Sequence, residues 1–307
     1  MNEQAMIDGW LRYLEGDATS PLTIKSYRHA ISNFVAWYVA YYEDQHFDPS
    51  GVLPKDFVEW IRCMSAKQRA APRSMNQRIA AVRKFFGWLR ATGVIRSNPA
   101  KDVKFVELDS KAFQGLADED YRKLMRVVYT SENLRDIAII EAMGGAGLRI
   151  SEVLALQVGD IFLYERETGK QISHIVVLEG KGNKRRSIPM APSVKTAFTN
   201  LLASHPNRLD GDNQDKSAGL WVGQRGELKD PSAISRLLAN YAEDAKFPKN
   251  QVHPHALRHS FAHRWLKKHP GDIRTLASIL GHSDIKTTML YTEMTDKEKA
   301  EKMAAMD

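Results

Sequence analysis

The sequence has little that would place the protein outside the cytoplasm or in a membrane. Its 307 residues include a single cysteine, Cys63, which excludes an intramolecular disulfide framework and suits a reducing compartment. The longer apolar stretches are interrupted by charged residues, and the segment after Met1 lacks the charged and apolar regions of a secretion signal. We therefore expect a cytoplasmic protein that is neither secreted nor inserted into a membrane.

Nucleotide-binding loops are also absent. The glycine-rich stretch at residues 144–147 is not followed by the Gly-Lys-Ser/Thr of a phosphate-binding loop. No strand with an acidic partner accompanies it, so it does not form a dinucleotide-binding fingerprint either. These glycines are instead expected to end a helix.

Positive charge is concentrated in one stretch of the first third of the chain. The formal net charge is +7, and between Arg62 and Lys104 eleven Lys and Arg residues accompany a single acidic residue, Asp102. A solvated helix face is one interpretation, but so large a local excess favours a polyanionic partner. The candidate DNA-binding residues of this stretch are Arg62, Lys67, Arg69, Arg73, Arg78, Arg83 and Lys84.

The length and the hydrophobic patterns predict two domains. Residues 1–106 carry four segments with apolar residues at helical spacing, which predicts a small all-α domain. Residues 107–115 form a predicted linker. Residues 116–307 mix helical patterns with strand patterns at 161–162, 172–178 and 186–190, and end in a tail with a predicted helix at 297–306. The expected fold is mainly α with a small antiparallel sheet.

Two arginines are candidates for binding a phosphate. Exchange at a phosphodiester without a metal needs a nucleophile, cations around the phosphorus and an acid for the leaving oxygen. A planar guanidinium can hold two phosphate oxygens at once. Arg149 follows a glycine turn, and Arg258 lies between the apolar residues Leu257 and Phe261. Taken singly, either arginine could instead form a surface ion pair.

Histidines supply candidates for proton transfer and raise the alternative of a metal site. His255 lies three residues before Arg258, so both side chains are expected on one side of a helix. His255, His259 and His263 recur every fourth residue, which could suit a metal ion, but no cysteine is near and no metalloprotease signature is present. His282 follows a glycine and could equally be a capping or core residue.

Lys181 and Tyr291 are the candidates that depend most on context. Lys181 lies between glycines at a predicted hairpin tip, where it could reach a substrate or simply be solvated. The basic residues behind it are further candidate DNA contacts, namely Lys184, Arg185 and Arg186. Tyr291 is one of ten tyrosines, and a phenol with a pKa near 10 needs cationic neighbours to become a nucleophile.

In their order along the chain, these residues resemble the active-site motif of the tyrosine recombinases, the phage-integrase family. The motif consists of Arg149, Lys181, His255-x-x-Arg258, Leu280-Gly281-His282 and Tyr291. The resemblance extends over essentially the whole chain and favours a simple recombinase of the Xer or transposon-resolvase kind. Glu293 stands where histidine is frequent in the family, and Ala277-Ser278 replaces a commoner polar pair. Neither departure touches a catalytic position.

The resemblance implies a nucleophile and two groups that transfer protons. Tyr291 would attack the scissile phosphate and form a 3′-phosphotyrosyl link. Lys181 would be the general acid for the 5′-oxygen, and His255 the general base or proton relay.

The resemblance also implies a set of residues that stabilise the transition state. Arg149, Arg258 and His282 would surround the phosphate, and Glu152 would be the supporting acid that orients Arg149. No metal, ATP or other cofactor is implied, because the covalent link conserves the energy of the broken bond.

The function implied is site-specific recombination of double-stranded DNA through a Holliday junction, for integration, excision or resolution. Four protomers would act on two sites, with a helical, SAM-like core-binding domain and an α+β catalytic domain in each. Two alternatives remain open: strand relaxation of the type IB topoisomerase kind, and sequence-specific DNA binding without catalysis. The target sequence and any accessory proteins are not specified by the sequence.

Overall fold

The computed structural model describes most of the chain, in nine stretches: residues 3–17, 19–43, 46–107, 115–163, 172–178, 185–204, 217–223, 226–282 and 284–289. The chain divides into two units, Met1–Ser110 and Lys111–Asp307. Among the described residues, all strands belong to the second unit, where they form a three-stranded and a two-stranded antiparallel sheet. The expected fold class, mainly α with a small antiparallel sheet, is confirmed.

Three of the four helices described in the first unit begin at proline. Its helices are α1 (Glu3–Gly16), α2 (Pro21–Tyr42), α3 (Pro54–Ala66) and α4 (Pro72–Ala91). Proline suits the first helical position because its φ is already helical and its missing N–H would have no partner there. The hydroxyl of Ser20 also accepts the Thr23 amide and caps α2. Aromatic side chains make up much of the core of this unit: Trp10, Phe34, Phe57, Trp60, Phe85 and Phe86 are all fully buried.

The second unit alternates helices with short strands. Its elements in order are α5 (Asp118–Thr130), α6 (Leu134–Gly144), α7 (Ile150–Ala155), a 3-10 turn (Val158–Asp160), β1 (Ile161–Phe162), β2 (His174–Leu178), β3 (Arg185–Pro189), α8 (Pro192–Ala203), β4 (Val222–Gly223), β5 (Gly226–Glu227), α9 (Pro231–Asp244), α10 (Pro254–Lys268), α11 (Ile273–Leu280) and α12 (Ile285–Met289). The three-stranded sheet has the order β1-β2-β3, with Ile175 opposite Ile161 on one side and Ile188 on the other.

Helix α6 lies at the centre of this unit. Every residue from Asp136 to Gly144 is buried, as expected of a mainly apolar helix that other elements surround, and the buried stretch includes the carboxylates of Asp136 and Glu141. Helix α10 packs against α6, and α11 packs against both α10 and β3. This arrangement brings the start of α7, the first turns of α10, the end of α11 and strand β3 to one place.

Strands β1, β2 and β3 match the predicted strands to within two residues at each end, whereas the two-stranded sheet of β4 and β5 was not predicted. The predicted turn around Lys181, most of the predicted linker and the predicted tail helix lie outside the described residues. In the described part of the chain, no helix combines the length and apolar character needed to cross a bilayer.

Candidate active site

A glycine turn places Arg149 at the start of α7. Gly147 has φ of +73°, and a Cβ there would lie 2.6 Å from the Phe261 ring and 3.0 Å from the Leu280 side chain. Only glycine allows the backbone this turn and this close approach. The Arg149 guanidinium then donates from Nη2 to the Gly281 carbonyl at 3.0 Å. The turn thereby joins Arg149 to the end of α11, far away in sequence.

Arg258 is a buried cation held by backbone carbonyls. It is only 3% exposed, although it lies on the first turns of α10 near the site. Its Nη1 donates to the Gly147 carbonyl at 2.7 Å, and its Nη2 donates to the Leu280 carbonyl at 2.6 Å. Leu280 ends α11, and the C-terminal end of a helix carries partial negative charge that favours a cation.

One carboxylate, that of Glu152, links three guanidiniums. Its oxygens accept hydrogen bonds from Arg149 Nη1 at 2.7 Å and from both Nη atoms of Arg186 at 3.0 and 2.9 Å. Arg258 Nη1 lies 3.7 Å away. Burial by itself raises the pKa of Glu152, but hydrogen bonds from Arg186 and Arg149 outweigh it and hold the pKa below its ordinary value. Three cations against one anion leave the cluster with excess positive charge for an incoming phosphate.

Arg186 belongs to this cluster, and its side chain is only 8% exposed. From its sequence position behind Lys181, Arg186 was predicted to contact DNA. Its guanidinium instead binds Glu152 with both Nη atoms and donates from Nε to the Ile279 carbonyl at 2.9 Å. A signal for this was present, because alternate residues of a strand share a face and Ile188 is core. Its neighbour Arg185 points to the other face and is exposed.

A second glycine positions His282. Gly281 ends α11 with φ of +65°, and a Cβ there would lie 2.7 Å from Arg186 Nη1. The imidazole that follows lies with Nε2 3.1 Å from Arg258 Nη2 and with Nδ1 2.7 Å from the Thr288 hydroxyl. Thr288 is fully buried and was missed in the sequence analysis, since a lone threonine carries no local signal of such a contact.

His255 lies on the first turn of α10, in the field of the same arginines. Partial burial, followed by the positive charges of Arg258 and Arg149, lowers the pKa of its imidazole. A neutral imidazole is the form that can accept a proton. This environment fits the role of general base that the resemblance implied for His255.

The histidine spacing along α10 does not assemble a metal site. The first and third histidines are eight residues apart, which is about 12 Å along a helix and too far to share one ion. Among the described residues, no three His, Cys, Asp or Glu side chains come together in a way that could hold a metal.

Three of the candidate residues lie outside the described residues, namely Lys181, Lys184 and Tyr291. Their described flanks belong to the elements that carry the site. Strand β2 ends at Leu178 and β3 begins at Arg185, on either side of Lys181, while α12 ends at Met289 shortly before Tyr291.

The basic residues of the first unit differ in how many partners they have within the protein. Arg62 pairs with Glu59, Arg78 donates to Gln68, and Arg83 and Lys84 lie over the rings of Phe105 and Tyr27. The exposed basic residues at the junction of α3 and α4 are Lys67, Arg69 and Arg73. We call these three residues the α3–α4 basic corner.

Comparison with known proteins gives matches over both units. The model of the phage integrase family matches residues 114–298, and that of the N-terminal SAM-like domain of phage integrases matches residues 7–93. The chain is 31% identical over 238 residues to tyrosine recombinase XerC of Actinobacillus pleuropneumoniae serotype 7 (strain AP76), a match that covers 77% of this chain and 73% of that protein. It is 30% identical over 296 residues to tyrosine recombinase XerD of Lacticaseibacillus casei, with 95% and 94% covered.

Solved structures show a similar fold. The crystal structure of XerA recombinase has 26% identity and a TM-score of 0.52, and the match covers 98% of each chain. The post-cleavage complex of XerH with palindromic difH substrate has a TM-score of 0.73 at 19% identity, with 92% of this chain and 79% of that chain covered. At 19% identity, the second likeness concerns the fold alone.

Proposed function

The chain belongs to the phage integrase family, and on this premise we propose that it is a tyrosine site-specific recombinase that cleaves and rejoins double-stranded DNA. The observation that carries this function is the cluster of three arginines around Glu152, with His282 beside it. Such a cluster suits a phosphate whose charge increases during the reaction. Similarity to tyrosine recombinases over most of the chain favours this function over strand relaxation and over DNA binding alone.

Arg149 is proposed to bind the scissile phosphate directly. A guanidinium has five N–H groups, and the bonds of Arg149 to Glu152 and to the Gly281 carbonyl use two of them. Because these bonds fix the plane of the guanidinium, its remaining N–H groups already have a defined orientation before DNA binds. Such preorganisation is the main source of electrostatic stabilisation in a transition state. Arg258 is proposed to complete the phosphate site.

The proposed covalent step starts from Tyr291. Its oxygen attacks the phosphorus and forms the 3′-phosphotyrosyl bond, while the bond from phosphorus to the 5′-oxygen breaks. His255 accepts the phenolic proton, and Lys181 donates a proton to the leaving 5′-oxygen. Attack by a 5′-hydroxyl of the other duplex reverses the step and yields a Holliday junction. Because the phosphotyrosyl bond retains the energy of the phosphodiester, the cycle requires no ATP.

The two units of the chain are proposed to have different functions. Residues 1–106 would be the core-binding domain, 107–115 the linker and 116–307 the catalytic domain. The division into two units and the separate family matches to residues 7–93 and 114–298 support these boundaries.

The α3–α4 basic corner is expected to contribute to the salt dependence of DNA binding. Log affinity should fall with log salt at a slope of roughly 0.9 per neutralised phosphate. Changing Lys67, Arg69 and Arg73 together to Gln should flatten this slope by about 0.9 for each phosphate that loses its contact. The slope is measured from affinities at several salt concentrations. A matched variant that changes Arg12, Lys25 and Lys55 to Gln removes the same number of charges from exposed positions outside the basic stretch and should change the slope less.

An unchanged slope in the triple variant would mean that the main phosphate contact of the first unit is made by other residues. Arg78 and Arg83 would then be the next residues to neutralise.

The assembly is proposed to be a homotetramer that holds two recombination sites. Exchange between two duplexes needs four strand cleavages, and each catalytic cluster supplies one nucleophile. The tail after Tyr291 is proposed to dock on a neighbouring protomer, because head-to-tail contacts of this kind close into a ring. The single cysteine and a DNA partner suit action in the cytoplasm.

One experiment tests recombination and assembly together. Bound DNA is first selected from a random pool, and two copies of the selected site are placed in one supercoiled plasmid. We expect deletion or inversion between the sites and a complex with the mass of four protomers on two sites. Relaxation without recombinant products would favour the topoisomerase alternative, and binding without any strand cleavage would favour the non-catalytic one. Recombination by a complex of two protomers would contradict only the proposed tetramer and would leave the recombinase function in place.

A further inference from the structure

Thr288 makes a contact with His282 that the proposed roles do not use. It lies on the short helix α12, three residues before Tyr291, and its side chain is fully buried. Its hydroxyl oxygen lies 2.7 Å from His282 Nδ1. The neighbouring Thr287 is exposed, so the two adjacent threonines have opposite environments.

The hydrogen bonds around the ring determine which nitrogen carries the proton. A guanidinium can only donate, so His282 Nε2, 3.1 Å from Arg258 Nη2, must present its lone pair. A neutral imidazole has one protonated nitrogen, which is then Nδ1. Nδ1 therefore donates to the Thr288 hydroxyl. The opposite tautomer would set an N–H of His282 against an N–H of Arg258.

We propose that Thr288 is a positioning residue that holds His282 in the Nδ1-protonated tautomer and directs Nε2 at Arg258 and the phosphate site. The proposal rests on the recombinase function for its catalytic consequence, but the tautomer itself is a property of the free protein. An imidazolium that takes a second proton from solvent would keep the same bond to Thr288. Its Nε2–H would face the Nη2 donor of Arg258, so this form requires the two groups to separate and a phosphate oxygen to accept a hydrogen bond from each. The hydroxyl thus suits both protonation states of His282.

Burial and the positive charges around His282 favour its neutral form in the free protein. Burial lowers its pKa most, followed by Arg258, Arg149 and Arg186, while Glu152 acts in the opposite direction. The resulting pKa is about 4. A single neutral tautomer is therefore expected near pH 7, where it can be observed directly.

The test compares variants of the full chain that differ only at the two threonines. Thr288→Val keeps the shape but removes the hydroxyl, Thr288→Ser keeps the hydroxyl, and Thr287→Val is the matched control on the exposed neighbour. Imidazole nitrogens are observed by long-range proton–nitrogen NMR, with His282→Gln used to assign the signal. Wild type, Thr288→Ser and Thr287→Val should show the Nδ1-protonated tautomer, and Thr288→Val should lose it.

Cleavage provides the second readout. Single-turnover cleavage of a nicked suicide substrate by Thr288→Val should fall about tenfold, the scale of one net hydrogen bond. Thr288→Ser should restore most of the rate, and DNA affinity should be unchanged in all variants. A role limited to packing predicts no tautomer change and no rescue that depends on the hydroxyl.

Each failure points to a different conclusion. An Nε2-protonated His282 in the wild-type protein overturns the proposal even if Thr288→Val does not fold. An unchanged tautomer in folded Thr288→Val also overturns it, as does an equal loss in Thr287→Val. If the tautomer changes but cleavage does not, the catalytic consequence is wrong. If wild type cleaves no selected DNA, the recombinase function fails while the tautomer result stands.

Discussion

Replacing Tyr291 with Phe is expected to abolish the covalent protein–DNA adduct while leaving the fold and DNA binding intact. The change removes only the attacking oxygen, and a phenylalanine ring has no atom that could form the bond to phosphorus. Adduct formation on a nicked suicide substrate, resolved by denaturing electrophoresis, measures the effect directly. A gel shift with the same substrate measures binding.

The described tyrosines of the second unit are poorly suited to replace Tyr291. Burial raises the pKa of Tyr121, Tyr129 and Tyr241, and nearby carboxylates raise it further, so each is held as a phenol. A nucleophilic tyrosine needs the opposite environment. The remaining tyrosine of this unit, Tyr164, lies outside the described residues and provides the control. Tyr164→Phe should form the adduct at the wild-type rate.

Undiminished adduct in Tyr291→Phe would show that another residue is the nucleophile. Loss of the adduct in Tyr164→Phe alone would identify that residue.

Removing either arginine of the phosphate site is expected to slow cleavage far more than it weakens binding. Loss of one preorganised charged donor costs about 3 kcal/mol or more in the transition state, which is on the order of a hundredfold in rate. Binding is shared over many phosphate contacts and should change little. Single-turnover cleavage and affinity, measured on one substrate for Arg149→Ala and Arg258→Ala, test this difference. Arg126→Ala, at an exposed arginine of α5, is the control.

The two variants should differ in stability. Arg258 is buried, and its removal leaves the carbonyls of Gly147 and Leu280 without their donor, at about 1–3 kcal/mol for each unsatisfied group. Arg149 is half-exposed, and Glu152 retains Arg186 when it is lost. A lower Tm is therefore expected for Arg258→Ala than for Arg149→Ala.

The cleavage prediction is contradicted if each variant loses as much binding as cleavage. Both residues would then make ordinary contacts to the DNA backbone.

The sequence by itself determined the elements and the order of the motif. The helical spacing in 1–106 and the strands that flank Lys181 follow from local periodicity, which depends on residues a few positions apart. Gly147 and Gly281 could also be recognised in the sequence as residues of the motif. The family motif then supplied roles for residues that no local pattern could distinguish, Tyr291 above all.

Only the tertiary structure decided how the site residues meet. Arg149 contacts the Gly281 carbonyl across 132 positions, and Arg258 contacts the Gly147 carbonyl across 111. Contacts at such separations are set by how α10 and α11 pack on α6 and β3, and no periodicity encodes them. The same packing turned Arg186 inward to Glu152 and placed Thr288 against His282. Hydrogen-bond donors and acceptors that are buried together must satisfy one another, and this requirement fixed the side chains that the sequence could only name.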